Sequence, residues 1–181
     1  MRWNNTTSSW GWISILMHWL SALVIIGLFA LGLWMVDLTY YDDWYRTAPN
    51  IHRSIGVLLL IATVLRLLWR RMNVVPAVLS THKTWEIKSA HIAHTVMYIL
   101  LFAIFISGYL ISTADGRSIH VFDWFEIPAS LHGIKHQEDI AGEIHFILAV
   151  SLITLAAIHA AGALKHHVID RDNTLKRMLG K

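Results

Sequence analysis

Long apolar runs without charged residues constrain the fold of this chain more than any other feature. Three of them are each long enough to cross, as a helix, a hydrocarbon core of about 30 Å, whereas the second apolar run along the chain is less obvious because it includes two arginines. The second run keeps Arg53 and Arg66 near its two ends, where long side chains reach the headgroups. The predicted fold is therefore all-α, an integral membrane four-helix up-down bundle that forms a single domain over residues 1–181. The four predicted spans are residues 13–36, 51–69, 89–114 and 144–164.

The distribution of Lys and Arg predicts the orientation of these spans. If the N-terminus is cytoplasmic, four of the 15 basic residues face outward, and the other eleven, which include Lys181, lie on the cytoplasmic side. Both termini are therefore expected in the cytoplasm, with residues 170–181 on the membrane surface. The excess of positive charge then reflects the inner side and does not indicate nucleic acid binding. The four outward residues are Arg46, Arg53, Arg117 and Lys135.

Histidine is the residue type that points to chemistry. The chain has no cysteine, which excludes disulfides, thiolate-held iron–sulfur clusters and haem attached through cysteine. Its 12 histidines equal the combined number of aspartates and glutamates, and several of them fall inside the predicted spans. Ionisable residues inside a membrane are costly and typically functional, so these histidines are the first candidates for ligands.

Four of these histidines fall at two matching depths. The segment HFILAVSLITLAAIH carries His145 and His159 on one helical face, about 21 Å apart along the axis. His18 lies at the depth of His159 near the cytoplasmic side, and His52 lies at the depth of His145 near the outer side. Two levels of paired imidazoles predict bis-histidine ligation of the iron of two haem b groups inside the bundle. His94 shares the inner depth, so depth alone leaves open which two of three histidines bind the inner haem.

Small and basic residues near these histidines fit the same prediction. Small residues one turn away leave the face of a porphyrin unobstructed, although the same pattern also suits close helix packing. Haem propionates attract cations. The predicted propionate partners are therefore Arg53 at the outer level and Arg66, Arg70 or Lys165 at the inner level. The small residues are Gly56, Gly142, Gly162 and Ala163. The histidines to which no role is assigned are His82, His91, His120, His132 and His136.

Several segments of the chain resemble the bacterial cytochrome b561 family. They are ISILMHWLSALVI, PNIHRSIGVLLL, SAHIAHTVMYILLF and AIHAAGALKHHVIDRDNTLKRM, while LGLWMV and ISGYLISTADG are most similar to the YceJ-like branch. The resemblance covers nearly the whole chain and implies a bacterial inner-membrane protein with two haem b groups. It implies His18 with His159 on one haem and His52 with His145 on the other. It also implies ubiquinone as electron partner, with the pair that follows the fourth span, His166 and His167, near the quinone pocket.

The leading functional prediction is di-haem transmembrane electron transfer between the quinone pool and a periplasmic donor or acceptor, as in a quinone-linked oxidoreductase. A periplasmic redox or lipid-binding protein is a candidate partner. One alternative is a haem-bearing membrane anchor of a larger oxidoreductase complex, with the long outer loop as docking surface. Another, implied by the resemblance, is a superoxide oxidase that reduces ubiquinone. The outer segments, however, carry nine acidic against four basic residues, which steers an anion poorly. A histidine-rich metal transporter is disfavoured because the spans contain no carboxylate.

Overall fold

Four long helices account for most of the chain. A computed structural model describes residues 2–180, so Lys181, counted above among the inner-side cations, lies outside the described residues. Each of the four helices is long and apolar enough to cross a membrane. The predicted class, a helical membrane bundle with four spanning helices, is confirmed. The helices are α1 (Trp12–Met35), α2 (Thr47–Met72), α3 (Thr84–Ser112) and α4 (Gln137–Val168), followed by a short α5 (Thr174–Met178).

The helices α2, α3 and α4 are longer than the apolar runs that predicted them, whereas α1 has the same length as its run and is displaced by one residue. The fourth helix, α4, has 32 residues and is therefore about 48 Å long, well beyond the thickness of a hydrocarbon core. Its first turn contains Glu138 and Asp139, and its last turn contains Lys165, His166 and His167. These residues match the helix dipole, acidic near the positive end and basic near the negative end. The uncharged run marks only the part of a helix that can face lipid, whereas polar turns continue the helix outside it.

Large aliphatic side chains on the spanning helices are exposed. Leu23 is 69% exposed, Ile106 is 62% exposed and Ile158 is 63% exposed. A soluble protein rarely leaves so much contiguous apolar surface in water, whereas lipid tails cover it without cost. The exposed apolar surface therefore agrees with membrane insertion. The less exposed faces of the helices are then left for polar groups such as the histidines.

A small β-hairpin follows α3, in a segment that the sequence analysis treats as loop. Its strands are β1 (Ile119–Val121) and β2 (Phe125–Ile127), paired antiparallel with Val121 opposite Phe125. Phe122 and Asp123 both have positive φ, as hairpin turns require. Ile119 and Val121 are buried while His120 is exposed, which is the alternation of a half-buried strand. Strands this short give only a weak sequence signal among the loop residues around them.

The chain divides into two compact units. We call the one that contains both termini the terminal unit, and the one that contains the β-hairpin the hairpin unit. In the terminal unit, Asn5 Oδ1 accepts hydrogen bonds from the Gly11 N–H (2.9 Å) and the Ser14 hydroxyl (2.7 Å). In the hairpin unit, buried Ser54 donates to the His120 carbonyl (3.3 Å), which ties the hairpin to α2. The terminal unit is Met1–Ala22, Ala62–Tyr98 and Thr154–Lys181, and the hairpin unit is Leu23–Ile61 and Ile99–Ile153.

Candidate functional site

The hairpin unit brings together two of the predicted ligands, His52 from α2 and His145 from α4. Their ring centres lie 6.2 Å apart and their planes meet at 65°. A metal–imidazole bond of about 2 Å places the centres of two rings on opposite sides of one metal about 6 Å apart. The observed separation therefore suits two imidazoles that share one iron.

The ring of His145 is held by hydrogen bonds from one side. Its Nδ1 lies 3.1 Å from the Ile104 carbonyl oxygen and 3.0 Å from the Ser107 hydroxyl. Because a carbonyl only accepts, Nδ1 carries the proton, and the lone pair of His145 is left on Nε2. Such bonds fix the tautomer and orientation of metal-binding histidines. His52 has a buried Nδ1 without a hydrogen-bond partner in the described part of the chain.

Two glycines allow the neighbouring helices to approach these rings. A Cβ atom on Gly32 of α1 would lie 3.3 Å from Cε1 of His52, and a Cβ atom on Gly108 of α3 would lie 3.2 Å from Cε1 of His145. Both distances are tighter than ordinary van der Waals contact, so a larger residue would push on the imidazole. Sequence reasoning did not select these glycines, although both stand within the segments LGLWMV and ISGYLISTADG.

The glycines that sequence reasoning did select face open space. A Cβ atom built on Gly56, Gly142 or Gly162 meets no atom within 4 Å among the described residues. A flat macrocycle needs such room beside its ligands, and the three positions therefore agree with a haem pocket. The same openness would also suit a lipid-facing surface, so the contacts of Gly32 and Gly108 carry the stronger argument.

The terminal unit collects three histidines, His18, His94 and His159, which lie within electrostatic range of one another. The ring centres of His94 and His159 are only 4.9 Å apart, less than the separation of about 6 Å across a shared metal. Arg66 donates to Nδ1 of His18 at 3.0 Å and lies 5.9 Å from the ring centre of Tyr98. Because a guanidinium only donates, Nδ1 of His18 accepts and its ring proton is on Nε2.

At this level the geometry does not select two ligands out of the three histidines. Iron ligation through Nε2 of His18 would place the ring proton on Nδ1, so Arg66 would have to change partner. The pairing of His18 with His159 stays a prediction. The residues of the hairpin unit thus fit a bis-histidine haem as they stand, whereas those of the terminal unit fit after a rearrangement of Arg66.

Two of the other cations predicted to meet haem propionates have protein partners. Lys165 lies 2.6 Å from Glu86 Oε1 and 2.7 Å from Asp170 Oδ2, and Arg53 donates to the Asn50 side chain. A propionate would therefore compete with existing partners for both residues. Their predicted roles remain untested.

A polar cleft of about 440 Å³ opens in the hairpin unit next to the turn of α2 that carries His52. Arg53, Ser54, His120 and Asp123 are among the residues that line it. A small electron donor or acceptor bound in this cleft would be separated from His52 by only a few covalent bonds of α2. The cleft is therefore a candidate entrance to the outer level.

Two groups in or beside the cleft lie next to carboxylates, whereas Arg53, which lines it, donates to the neutral side chain of Asn50. The Arg117 guanidinium binds Asp115, and its hydrogen bond lowers the pKa of that carboxyl. His120 lies 3.2 Å from Glu126, so a positive charge on its ring would also be paired. These pairs agree with the excess of acidic residues in the outer segments, and they weaken the electrostatic attraction that an anionic substrate would experience.

The predicted quinone residues lie at the end of α4 among carboxylates. Nδ1 of His166 is 2.8 Å from Asp170 Oδ2 and 3.3 Å from Asp172 Oδ2, and Nδ1 of His167 is buried without a hydrogen-bond partner in the described residues. His82, to which the sequence analysis assigns no role, stacks on His166 with ring centres 4.4 Å apart. Because 84 residues separate them in the chain, spacing alone gives no signal for this contact.

Comparison with known proteins gives consistent matches. Residues 9–181 match the family model described as prokaryotic cytochrome b561. The chain is 52% identical to cytochrome b561 homolog 2 of Escherichia coli over 181 residues, covering 100% of the chain and 96% of the relative. It is 29% identical to the probable superoxide oxidase CybB of Yersinia pestis, covering 93% and 94%. It is 25% identical to cytochrome b561 homolog 1 of Escherichia coli, covering 91% and 93%.

Proposed function

From the premise that this chain belongs to the prokaryotic cytochrome b561 family, whose members bind haem b and transfer electrons in bacterial membranes, we propose a specific role for it. The protein carries electrons between the quinone pool and a periplasmic donor or acceptor through two haem b groups. It does so as a multi-pass protein of the inner membrane with both termini in the cytoplasm. His52 with His145 and His18 with His159 are the proposed axial ligands.

The single observation that carries this proposal is the pair of facing imidazoles in the hairpin unit. His52 and His145 stand 6.2 Å apart at their ring centres, and Gly32 and Gly108 allow α1 and α3 to approach them closely. This arrangement supports one bis-histidine haem directly. The second haem is supported by the spacing of His145 and His159, which lie on one helix about 21 Å apart along its axis.

The ligand set determines the class of chemistry. Haem b supplies a one-electron couple within the membrane. Two histidines per iron leave no open coordination position, so oxygen binding at iron is disfavoured and outer-sphere electron transfer is favoured. Ser107 and the Ile104 carbonyl hold the proton of His145 on Nδ1, which keeps Nε2 available and the ring fixed. The apolar helix surfaces exclude water and so contribute to the reduction potential.

The test of this proposal is a haem measurement on the purified chain. We expect two haem b per polypeptide by pyridine haemochromogen assay, and reduction of both by a quinol in the absence of any other protein subunit. A colourless protein, or one whose iron is held by residues other than histidine, would contradict the proposal. Haem that can be reduced only within a complex would support a membrane-anchor role instead.

The quinone is proposed to react at the end of α4, where the family resemblance points to His166 and His167. Replacing His166 with alanine should slow haem reduction by ubiquinol about 10-fold or more, because a positioned hydrogen-bond donor or proton acceptor is removed. The haem content should be unchanged, and stopped-flow absorbance is the measurement. The matched control is His136→Ala, a histidine of the hairpin unit that lies beside Asp139. An unchanged rate in His166→Ala would exclude this quinone site.

Superoxide is a second candidate substrate because one relative is named as a probable superoxide oxidase. The pairing of Arg117 and His120 with carboxylates, together with the nine acidic residues of the outer segments, argues against rapid capture of an anion at this side. We therefore expect the oxidised protein to be reduced by superoxide much more slowly than by its physiological donor. Pulse radiolysis at low and high salt measures both the rate and its electrostatic component.

A further inference from the structure

A cluster of metal-ligating side chains lies in the terminal unit, outside the proposed haem ligands. His82 precedes α3, His166 is in the last turn of α4, and Asp172 lies between α4 and α5. Nε2 of His82 is 3.0 Å from Asp172 Oδ2, and Nδ1 of His166 is 3.3 Å from the same oxygen. One carboxylate oxygen thus lies beside nitrogens of two imidazoles that come from distant parts of the chain.

These distances match those between the ligands of one metal ion. Ligand atoms about 2.0 Å from a tetrahedral zinc ion lie about 3.3 Å from each other. The separations of 3.0 and 3.3 Å from Asp172 Oδ2 are close to that value, and the two imidazole nitrogens lie within 4.8 Å of each other. Binding an ion here would therefore need the two imidazole nitrogens to approach each other by at most about 1.5 Å, an adjustment of side chains rather than movement of a helix.

The environment of Nδ1 of His166 favours a metal ion over a simple hydrogen bond. This nitrogen is buried and makes no hydrogen bond within residues 2–180, although Asp170 Oδ2 is 2.8 Å away and Asp172 Oδ2 is 3.3 Å away. Both oxygens therefore lie to the side of the ring N–H direction, where a hydrogen bond is weak. In a metal site the ion occupies that direction and the other ligand atoms surround it.

The carboxylate of Asp172 is fixed in the required orientation. Its Oδ1 accepts a hydrogen bond from the Thr174 backbone N–H at 2.8 Å, which leaves Oδ2 facing the two histidines. The side chain is only 4% exposed, and the Thr174 hydroxyl lies 2.9 Å from Nε2 of His82. A buried carboxylate held on one oxygen is a typical metal ligand, with its hydrogen-bond partner supplying the orientation.

We propose that His82, His166 and Asp172 form a binding site for a divalent transition-metal ion, for which Zn²⁺ is the best match. Two imidazoles with one carboxylate suit zinc, whereas Mg²⁺ and Ca²⁺ prefer oxygen ligands throughout. Asp170 is the available fourth ligand, although Lys165 lies 2.7 Å from it and competes for its charge. The site does not depend on haem binding. A bound ion would link the segment after α4 to the loop before α3.

The test is calorimetric titration of ZnCl₂ into the haem-loaded full chain in detergent, purified with a histidine-free tag and washed with chelator. Wild type should bind one Zn²⁺ per chain. Asp172→Asn retains Oδ1 for the Thr174 N–H but loses the ligating oxygen, and with His82→Ala it should weaken binding at least about 10-fold. The matched control His136→Ala should bind zinc as wild type does. An unchanged Soret band in each variant shows that it has folded.

The outcomes separate the alternatives. Absence of zinc binding by wild type, or equal affinity in Asp172→Asn and wild type, would overturn the site and leave a hydrogen-bonded network. Loss of binding in His136→Ala alone would assign the ion to the hairpin-unit histidines and overturn the site as well. If a variant does not fold, zinc X-ray absorption of the wild type decides. Two imidazoles with oxygen ligands support the site, and any other ligand set contradicts it.

Discussion

Replacement of His145 with alanine is expected to remove one haem and to leave about half of the haem absorbance of the wild type. The Nε2 of His145 is the nitrogen that could bind iron, because Ile104 and Ser107 engage its Nδ1. Among residues 2–180 no other imidazole is in ring contact with His52, so alanine would leave His52 without a partner histidine to hold the iron. The pyridine haemochromogen assay, normalised to protein by amino acid analysis, measures the loss.

Variants of His52 make this prediction sharper. His52→Ala should remove the same half, and the double variant should lose no more than either single one, because both changes abolish the same site. His136→Ala, whose histidine directly precedes α4 and lies beside Asp139, should retain full haem. A full complement of haem in His145→Ala, or complete loss in the double variant only, would refute the pairing.

Enlarging Gly108 is expected to displace the same haem without touching a ligand. A Cβ atom there would lie 3.2 Å from Cε1 of His145, so alanine already presses on the ring. Overpacking of this kind costs about 1–3 kcal/mol, which corresponds to weakening of haem binding by roughly 5- to 150-fold. Leucine at this position should prevent ligation by His145 altogether. Transfer of haem to apomyoglobin, followed by absorbance, gives the rate of loss for each variant.

Gly27 provides the matched control for this prediction. It lies on α1, where an added Cβ meets no atom within 4 Å among the described residues. Gly27→Ala and Gly27→Leu should keep both haems, since the change in helix propensity favours the helix by only about 1 kcal/mol. Equal haem retention in the Gly27 and Gly108 variants would show that α3 does not control the position of His145. Graded loss at Gly108 alone would support it.

The spanning helices could be predicted from the sequence because their signal is local. Uncharged runs such as residues 144–164 are unfavourable in water, and a helix satisfies their backbone within the segment itself. The two depths of His145 and His159 follow from the helical rise alone. Helix ends such as the first turn of α4 could not be predicted from the same signal, because Glu138 and Asp139 continue the helix where the apolar run has stopped.

The resemblance to the cytochrome b561 family gave more specific expectations than residue spacing. It implied His159 rather than His94 as a ligand of the inner haem, whereas the depths of the histidines did not distinguish between them. In the terminal unit the ring of His94 lies 4.9 Å from that of His159, so these two histidines are neighbours as well as alternatives. Haem-quantified variants of each will decide between them, because a histidine that only packs can be replaced without loss of iron.

The sequence by itself determined the membrane spans, the lack of cysteine ligands and the depths of the histidines, because composition and helical period act within a single segment. Only the tertiary structure decided that Gly32 and Gly108 face the rings of His52 and His145, and that His82 meets His166. These contacts join residues that are distant along the chain. The glycine contacts depend on the rotation of each helix about its axis, which is set by packing against neighbours and not by any periodic pattern within the helix. The contact of His82 depends on the path of the segment that precedes α3.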